Sequence, residues 1–181
     1  MSPSLRLATP ADAPALRELI AASARGLQQQ DYTAAQIEAA LRSAFGVDTQ
    51  LIADATYFVA EAAEGPVACG GWSFRRTLFG GDDQPGRQAE RLDPEREAAR
   101  IRAFFVHPAW ARRGLGRAIL DRCEAEARAA GFHAAELMAT LPGVRLYSAL
   151  GYQAAAPLEI PLTGGVTITF VPMRKSLVAP S

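Results

Sequence analysis

The chain has 181 residues, with 19 basic and 19 acidic side chains, a formal net charge of zero and 49% apolar residues. That length predicts one domain over residues 1–181 with a sizeable core, and balanced charge gives no global pull toward nucleic acid or anionic lipid. No apolar run approaches the ~18 residues that read as a membrane span, and the N-terminal "MSPSLRLATPADAP" has no basic stretch followed by an apolar one, so no secretory signal is read and a cytoplasmic location is expected.

In chain order, "LRLA" (Leu5 to Ala8) reads as a short strand. A helix follows with Thr9 as N-cap and Pro10 in its first turn; Leu16, Leu19, Ile20 and Leu27 share a face. "YTAAQIEAALRSAF" predicts a second helix over 32–45, capped by Thr33, with Ile37, Leu41 and Phe45 recurring every four residues. "TYFVAEA" and "PVACGGWSFRR", separated by Glu64-Gly65, predict a β-hairpin. Residues 77–98 are rich in Gly, Asp, Arg and Pro and read as a long loop or insertion, a length that is uncommon in compact domains.

"RIRAFFV" (Arg100 to Val106) is a strand ending at His107-Pro108, and "GLGRAILDRCEAEARAAG" is an amphipathic helix stopped by Gly131. "AAELMA" is a strand and "LPGVRLYSALG" a short helix; "YQAAAPLEIPL" and "VTITFVPMRK" form a closing antiparallel pair across Gly164-Gly165. Residues 176–181 read as a frayed tail. The order β α α β β β α β α β β gives an α/β (α+β) domain with a mostly antiparallel sheet of six to seven strands and about four helices. Cys69 and Cys123 lack a CxxC partner and histidines at metal spacing, which predicts free thiols and no metal.

Chemistry concentrates in "FFVHPAWARRGLGRAIL" (Phe104 to Leu120). A nucleic-acid reading of Arg112, Arg113 and Arg117 fails because Asp121, Glu124 and Glu126 cancel their field. A dinucleotide fingerprint fails because Ile119 takes the third glycine position, and a Walker loop fails for want of GK[ST]. Two readings remain open on residue chemistry alone. One is a helix start whose backbone N–H groups hold a pyrophosphate; the other is a glycine-softened helix start with no ligand.

A strand ending in Val106-x-Pro108, then the arginine-rich turn Arg112-Arg113-Gly114-x-Gly116, then an amphipathic helix resembles the acetyl-CoA motif of the GCN5-related N-acetyltransferases. The helices after the first strand, the central hairpin and the downstream "LYSALGY" fall in that family's order, so the resemblance covers Leu5 to Lys175. Ala111 stands where the family has Arg or Gln, and Thr140 where many members have Asn.

The resemblance implies a splayed central strand pair and acetyl-CoA as co-substrate. Pantetheine would lie along Phe104, Phe105 and Val106. Pyrophosphate would meet the amides of Arg112, Arg113, Gly114, Leu115, Gly116 and Arg117. A backbone N–H near Val106 would polarise the thioester, and Tyr147 would protonate the departing thiolate. The implied reaction moves acetyl to a primary amine of a small molecule, through a ternary complex. Protein or peptide N-acetylation and a non-catalytic acyl-CoA sensor are the alternatives. Family members are often homodimers; no nucleic-acid or membrane partner is expected. Acceptor-side candidates from the residues themselves are Tyr32 and Gln36, one helical turn apart, and Trp72 and Arg75 at the hairpin's end. Arg75 with Arg76 favours an acidic acceptor. Candidate bases are Glu61, Glu136 and His107.

Overall fold

The sheet is laid down from its edge inward. β1 (Ser4–Leu7) pairs antiparallel with β2 (Tyr57–Ala62), which forms the expected hairpin with β3 (Gly65–Ser73). In this computed structural model, which describes residues 2–179, β3 pairs with β4 (Ala99–Val106), β4 runs parallel to β5 (Ala134–Thr140), and β5 pairs with β8 (Thr167–Ser176). β6 (Gln153–Ala154) and β7 (Leu158–Pro161) also pair with β8, completing an eight-stranded, mostly antiparallel sheet. One strand more than expected arises because the closing segment breaks between Ala154 and Leu158.

Helices cover both faces. On one side lie α1 (Ala13–Leu27), α2 (Ala34–Ala40) and α3 (Thr49–Ala53), whose Leu16, Ile20, Ile37 and Leu51 pack with Val59, Phe105 and Phe170. On the other lie α4 (Leu115–Ala129) and α5 (Val144–Ala149), where Ile119, Cys123 and Tyr147 pack with Phe58, Ile101 and Met173. Alternation along the strands puts one apolar set on each face, so the sheet is buried on both sides.

Four sequence expectations change here. The helix expected over 32–45 ends at Ala40, because the Phe45 N–H turns back to Ala40 O at 2.8 Å. That return seats Phe45 edge-on to Phe105 with centroids 5.7 Å apart. The five-residue α3 was not expected; fully buried Asp48 starts it by accepting from the Gln50 and Leu51 amides at 3.1 and 3.2 Å. The stretch 77–98 is an ordered excursion: Arg75 bridges Arg91, the Arg76 N–H donates to Glu90 O, and the Leu92 N–H donates to Phe74 O at 2.8 Å. In the expected frayed tail, Ser176 closes β8 and buried Leu177 donates its N–H to His133 O at 2.8 Å; residues 180 and 181 lie outside the described residues.

Candidate active site

Between β3 and β4 the register steps from Cys69↔Phe105 to Gly71↔Arg102, so β4 carries one extra residue. Ala103 takes it up at φ 58°, in the left-handed region. This is a β-bulge, which bends its strand and re-aims the side chains beside it. On its far side β4 meets β5 only at Ala99↔Ala135 and Arg100↔Glu136. Beyond that point the two strands diverge. An Arg100–Glu136 ion pair clasps the closed end, where Glu136 also receives Arg174 at 3.3 Å. The splay opens a cavity of about 940 Å³, lined by the separated strand ends, the turn before α4 and the face of α5.

The turn before α4 presents donors. Trp110 and Ala111 give their N–H groups to His107 O and Pro108 O, and the helical ladder begins only with Ala118 N–H to Gly114 O at 3.0 Å. Among the described residues, no backbone acceptor engages the amides from Arg112 through Arg117. Gly114 caps the helix at φ 80°, ψ 5°, a conformation that glycine adopts without strain. These free N–H groups and the positive end of a fifteen-residue helix suit an anion. Exposed Arg112 and Arg145 border the cavity and form no ion pair among the described residues, whereas Arg113 lies over the Trp110 ring at 4.7 Å.

Phe104 and Tyr147 shape the middle of the cleft. Gly70 lets the Phe104 ring lie flush on β3: a Cβ there would come within 2.7 Å of it. Phe104 in turn meets Tyr147 edge-on at 6.2 Å, and Tyr147 meets Tyr152 at 5.8 Å. Tyr152 is fixed by its hydroxyl donating to Glu124 at 3.1 Å, and Glu124 is held by Lys175 at 2.8 Å. Tyr147 lines the cavity, and nothing among the described residues hydrogen-bonds its hydroxyl. Burial pushes that phenol well above the ordinary tyrosine range, so it remains a proton donor at neutral pH.

The backbone donor expected near Val106 is already committed. The Val106 N–H donates to Ser23 Oγ at 3.2 Å, and the His107 N–H to Val67 O at 2.9 Å. Ser23, a buried α1 residue, is therefore part of the cleft wall, a role its sequence context did not signal. Asp31 is the one carboxylate among the residues lining the cavity.

The far end is walled by Phe45, Phe79 and Phe170 and by Leu78 to Gly81 of the ordered excursion. Arg102 alternates with Ile101, which packs on the α4 side, and so faces this end; the bulge changes the faces of the residues after it. Strict alternation would place Arg102 with Phe104, but Phe104 packs on the α4 side while Ala103 and Phe105 pack on the α1 side. Arg102 reaches Asp48 Oδ2 at 2.5 Å on that second side.

The structure brings Phe104, Phe105, Val106, Arg112, Gly114, Leu115, Gly116, Arg117 and Tyr147 to one cavity, with Arg113 at its rim. The four acceptor-side candidates lie off it. The Tyr32 hydroxyl donates to Thr169 O at 2.6 Å and accepts the Leu141 N–H at 2.9 Å, and burial raises its pKa to about 12. Gln36 completes a capping box with Thr33 and donates to Thr167 O at 2.9 Å. These two residues dock α2 onto β8. Trp72 is buried with its Nε1 on Glu126 at 3.2 Å, and Arg75 pairs with Asp54 at 2.7 Å. Of the candidate bases, Glu61 pairs with Arg6, Glu136 with two arginines, and His107 Nδ1 accepts from the Ala109 amide at 3.1 Å. None of the three lines the cavity. Among the described residues no three His, Cys, Asp or Glu gather as a metal site, and no helix is long and apolar enough to cross a membrane.

Solved N-acetyltransferase structures share this fold. A GCN5-related N-acetyltransferase (aminotransferase, class-II) from Rhodopseudomonas palustris superposes with a TM-score of 0.72 at 20% identity, over 97% of this chain and 96% of its own. The PaiA N-acetyltransferase from Thermoplasma acidophilum, in complex with coenzyme A, gives 0.65 at 14% identity, over 97% and 99%. YncA from Salmonella typhimurium, with its cofactor acetyl-CoA, gives 0.62 at 21% identity, over 100% and 97%. No curated protein matches the chain in sequence. The sequence profile of the Acetyltransferase (GNAT) domain matches residues 53–154, more than half of the chain. The chain belongs to the GNAT acetyltransferases. Its class of reaction is acetyl-CoA-dependent acyl transfer, and the free amides, open strand edges and unpaired arginines of the cleft fit that co-substrate.

Proposed function

We propose that the protein transfers acetyl from acetyl-CoA to a primary amine of a small molecule by direct attack in a ternary complex. The observation that carries this reading is the continuous cavity: unpaired amides at one end, an aromatic end walled by the excursion, and the unbonded Tyr147 hydroxyl on its side. A walled end of this kind favours a compact acceptor over a peptide laid in a groove. A free acid at the cleft favours catalysis over sensing.

The neutral amine nitrogen attacks the thioester carbonyl carbon; a C–N bond forms and the C–S bond breaks. Sulfur leaves as a thiol with the Tyr147 proton. The surplus proton of the amine passes to Asp31 or to water at the cavity mouth, and solvent returns a proton to Tyr147. The amides of Arg112 to Arg117 orient the pyrophosphate throughout and do not titrate. Preorganised donors of this kind act without reorganisation during the reaction.

Thiol release measured over a panel of small amines and peptides, with Tyr147→Phe as control, tests the reading. Small amines are expected to turn over and Tyr147→Phe to lose most of the rate. Transfer to peptides alone would overturn the small-molecule acceptor. Tight acetyl-CoA binding with no transfer to anything would leave a sensor.

A further inference from the structure

The far end of the cleft holds two buried side chains with unmet hydrogen-bonding capacity. Arg102 is 4% exposed, and its Nε has no partner among the described residues. Gln28, at the C-terminus of α1, is 6% exposed, and its Oε1 accepts nothing. Both residues line the same cavity. Buried polar atoms in folded proteins are nearly always paired, and those that are not call for an explanation such as a bound ligand.

The charges around Arg102 sharpen the point. Asp48 is fully buried and is the carboxylate in contact with it, at 2.5 Å from Nη2. That carboxylate is shared: it also receives Arg87 Nη2 at 3.0 Å and the two amides that start α3. Gly80 O takes the same Arg102 Nη2 at 2.5 Å, so the hydrogen bonds gather on one corner of the guanidinium. Asp82, the next carboxylate, is exposed and accepts the Thr49 N–H at 3.0 Å. Two guanidinium ions thus share one buried negative charge. Burial draws Arg102 down to about 10, against the pull of Asp48, and it remains a cation at neutral pH.

We infer that the acceptor amine carries a carboxylate, which the unpaired N–H groups of Arg102 bind while Gln28 Oε1 accepts an N–H of the amino group. The inference rests on the small-molecule reading above and narrows it to amino acids and related amino carboxylates. A carboxylate supplies the second negative charge that Arg102 lacks, and charge-assisted bonds to guanidinium are the strong ones. A neutral amide or a decarboxylated amine leaves that site unfilled.

The test uses matched acceptors: glycine, β-alanine and L-amino acids, each against its amide and its decarboxylated amine. Thiol release gives kcat/KM for every pair. Melting of the CoA-saturated protein gives binding of every compound independently of turnover. The acids are expected to exceed their neutral partners in kcat/KM by roughly tenfold to a hundredfold, the range for a hydrogen bond to a charged group, and to raise the melting temperature where the amides do not. Arg102→Lys keeps a cation for Asp48 but loses the planar fork, and narrows that preference. Gln28→Leu weakens acids and amides alike. Amides that match the acids in both readouts would overturn the inference, as would a folded Arg102→Lys or Arg102→Gln protein that keeps the full preference. Acid-selective stabilisation without turnover of any amine sinks the proposed reaction and leaves the carboxylate site standing. Equal turnover of acids and amides together with equal stabilisation does the reverse.

Discussion

Replacing Gly70 by alanine probes the contact on which the shape of the cleft depends. An ideal Cβ on Gly70 lies 2.7, 2.7 and 2.8 Å from three atoms of the Phe104 ring. Carbon atoms rest at about 3.5–4.0 Å, so the ring must retreat by about 1 Å. Gly70 has no positive φ, so alanine strains nothing in the backbone and the effect is steric. β3 and β4 are paired on both sides of the site, which prevents the sheet from spreading. The ring therefore moves into the cavity it lines and against Tyr147, which it already meets at 6.2 Å. Overpacking of this kind costs about 1–3 kcal/mol. For a chain of this length each kcal/mol lowers Tm by about 2–4 °C, so calorimetry should register a drop of roughly 2–12 °C by the same reckoning. Steady-state kinetics should show a raised KM for acetyl-CoA. Adding Phe104→Leu, which shortens the intruding group, should recover part of both losses, a coupling expected only of residues in contact. A Gly70→Ala protein with unchanged Tm and KM would refute the packing argument, and so would strict additivity in the double variant.

Further predictions concern the acid, the turn and the buried charges. Tyr147→Phe should lower kcat by roughly a hundredfold or more with little change in KM, the span of general acid catalysis. Because burial raises the Tyr147 pKa, the wild-type pH profile should show no alkaline decline below about pH 10, the ordinary phenol value; a decline at lower pH that vanishes in the phenylalanine variant would count against this assignment. Gly114→Ala faces open space but must hold φ 80°, so it should cost about 1–2 kcal/mol of stability and weaken acetyl-CoA binding, read by denaturation and titration. Asp48→Asn strands buried Arg102 and its neighbour Arg87; chemical denaturation should show a loss of about 3–5 kcal/mol.

The helix start that borders the cleft was legible in the sequence because its determinants are local. Gly114 and Gly116 mark a helix start by spacing, and a helix start carries its free amides wherever it lies. The splay itself came from family resemblance, since nothing in "RIRAFFV" signals that β4 and β5 separate after Arg100. The acceptor-side candidates lie off the cavity for a physical reason. Tyr32, Gln36, Trp72 and Arg75 look available in one dimension, yet each finds a partner distant in sequence, on β8, α4 or after α3. Nothing in "RIRAFFV" marks Arg102 as a buried side chain that meets Asp48. The bulge at Ala103 turns Phe104 to the face opposite Arg102, and bulges leave no reliable mark when the residue at positive φ is not glycine. The role of Asp48 is hidden because its partners lie on a later strand and in the excursion.

Ligand-induced stabilisation tests the central claim that the opening between β4 and β5, with the helix start beyond it, holds acetyl-CoA. Thermal melts in millimolar acetyl-CoA, CoA and pantetheine separate the contributions, since ligand that binds only the native state raises Tm with concentration. Acetyl-CoA and CoA should both stabilise the protein, and pantetheine, which lacks the pyrophosphate, should do so far less. No shift with either CoA species, or an equal shift with pantetheine, would contradict the assignment of the Arg112 to Arg117 amides.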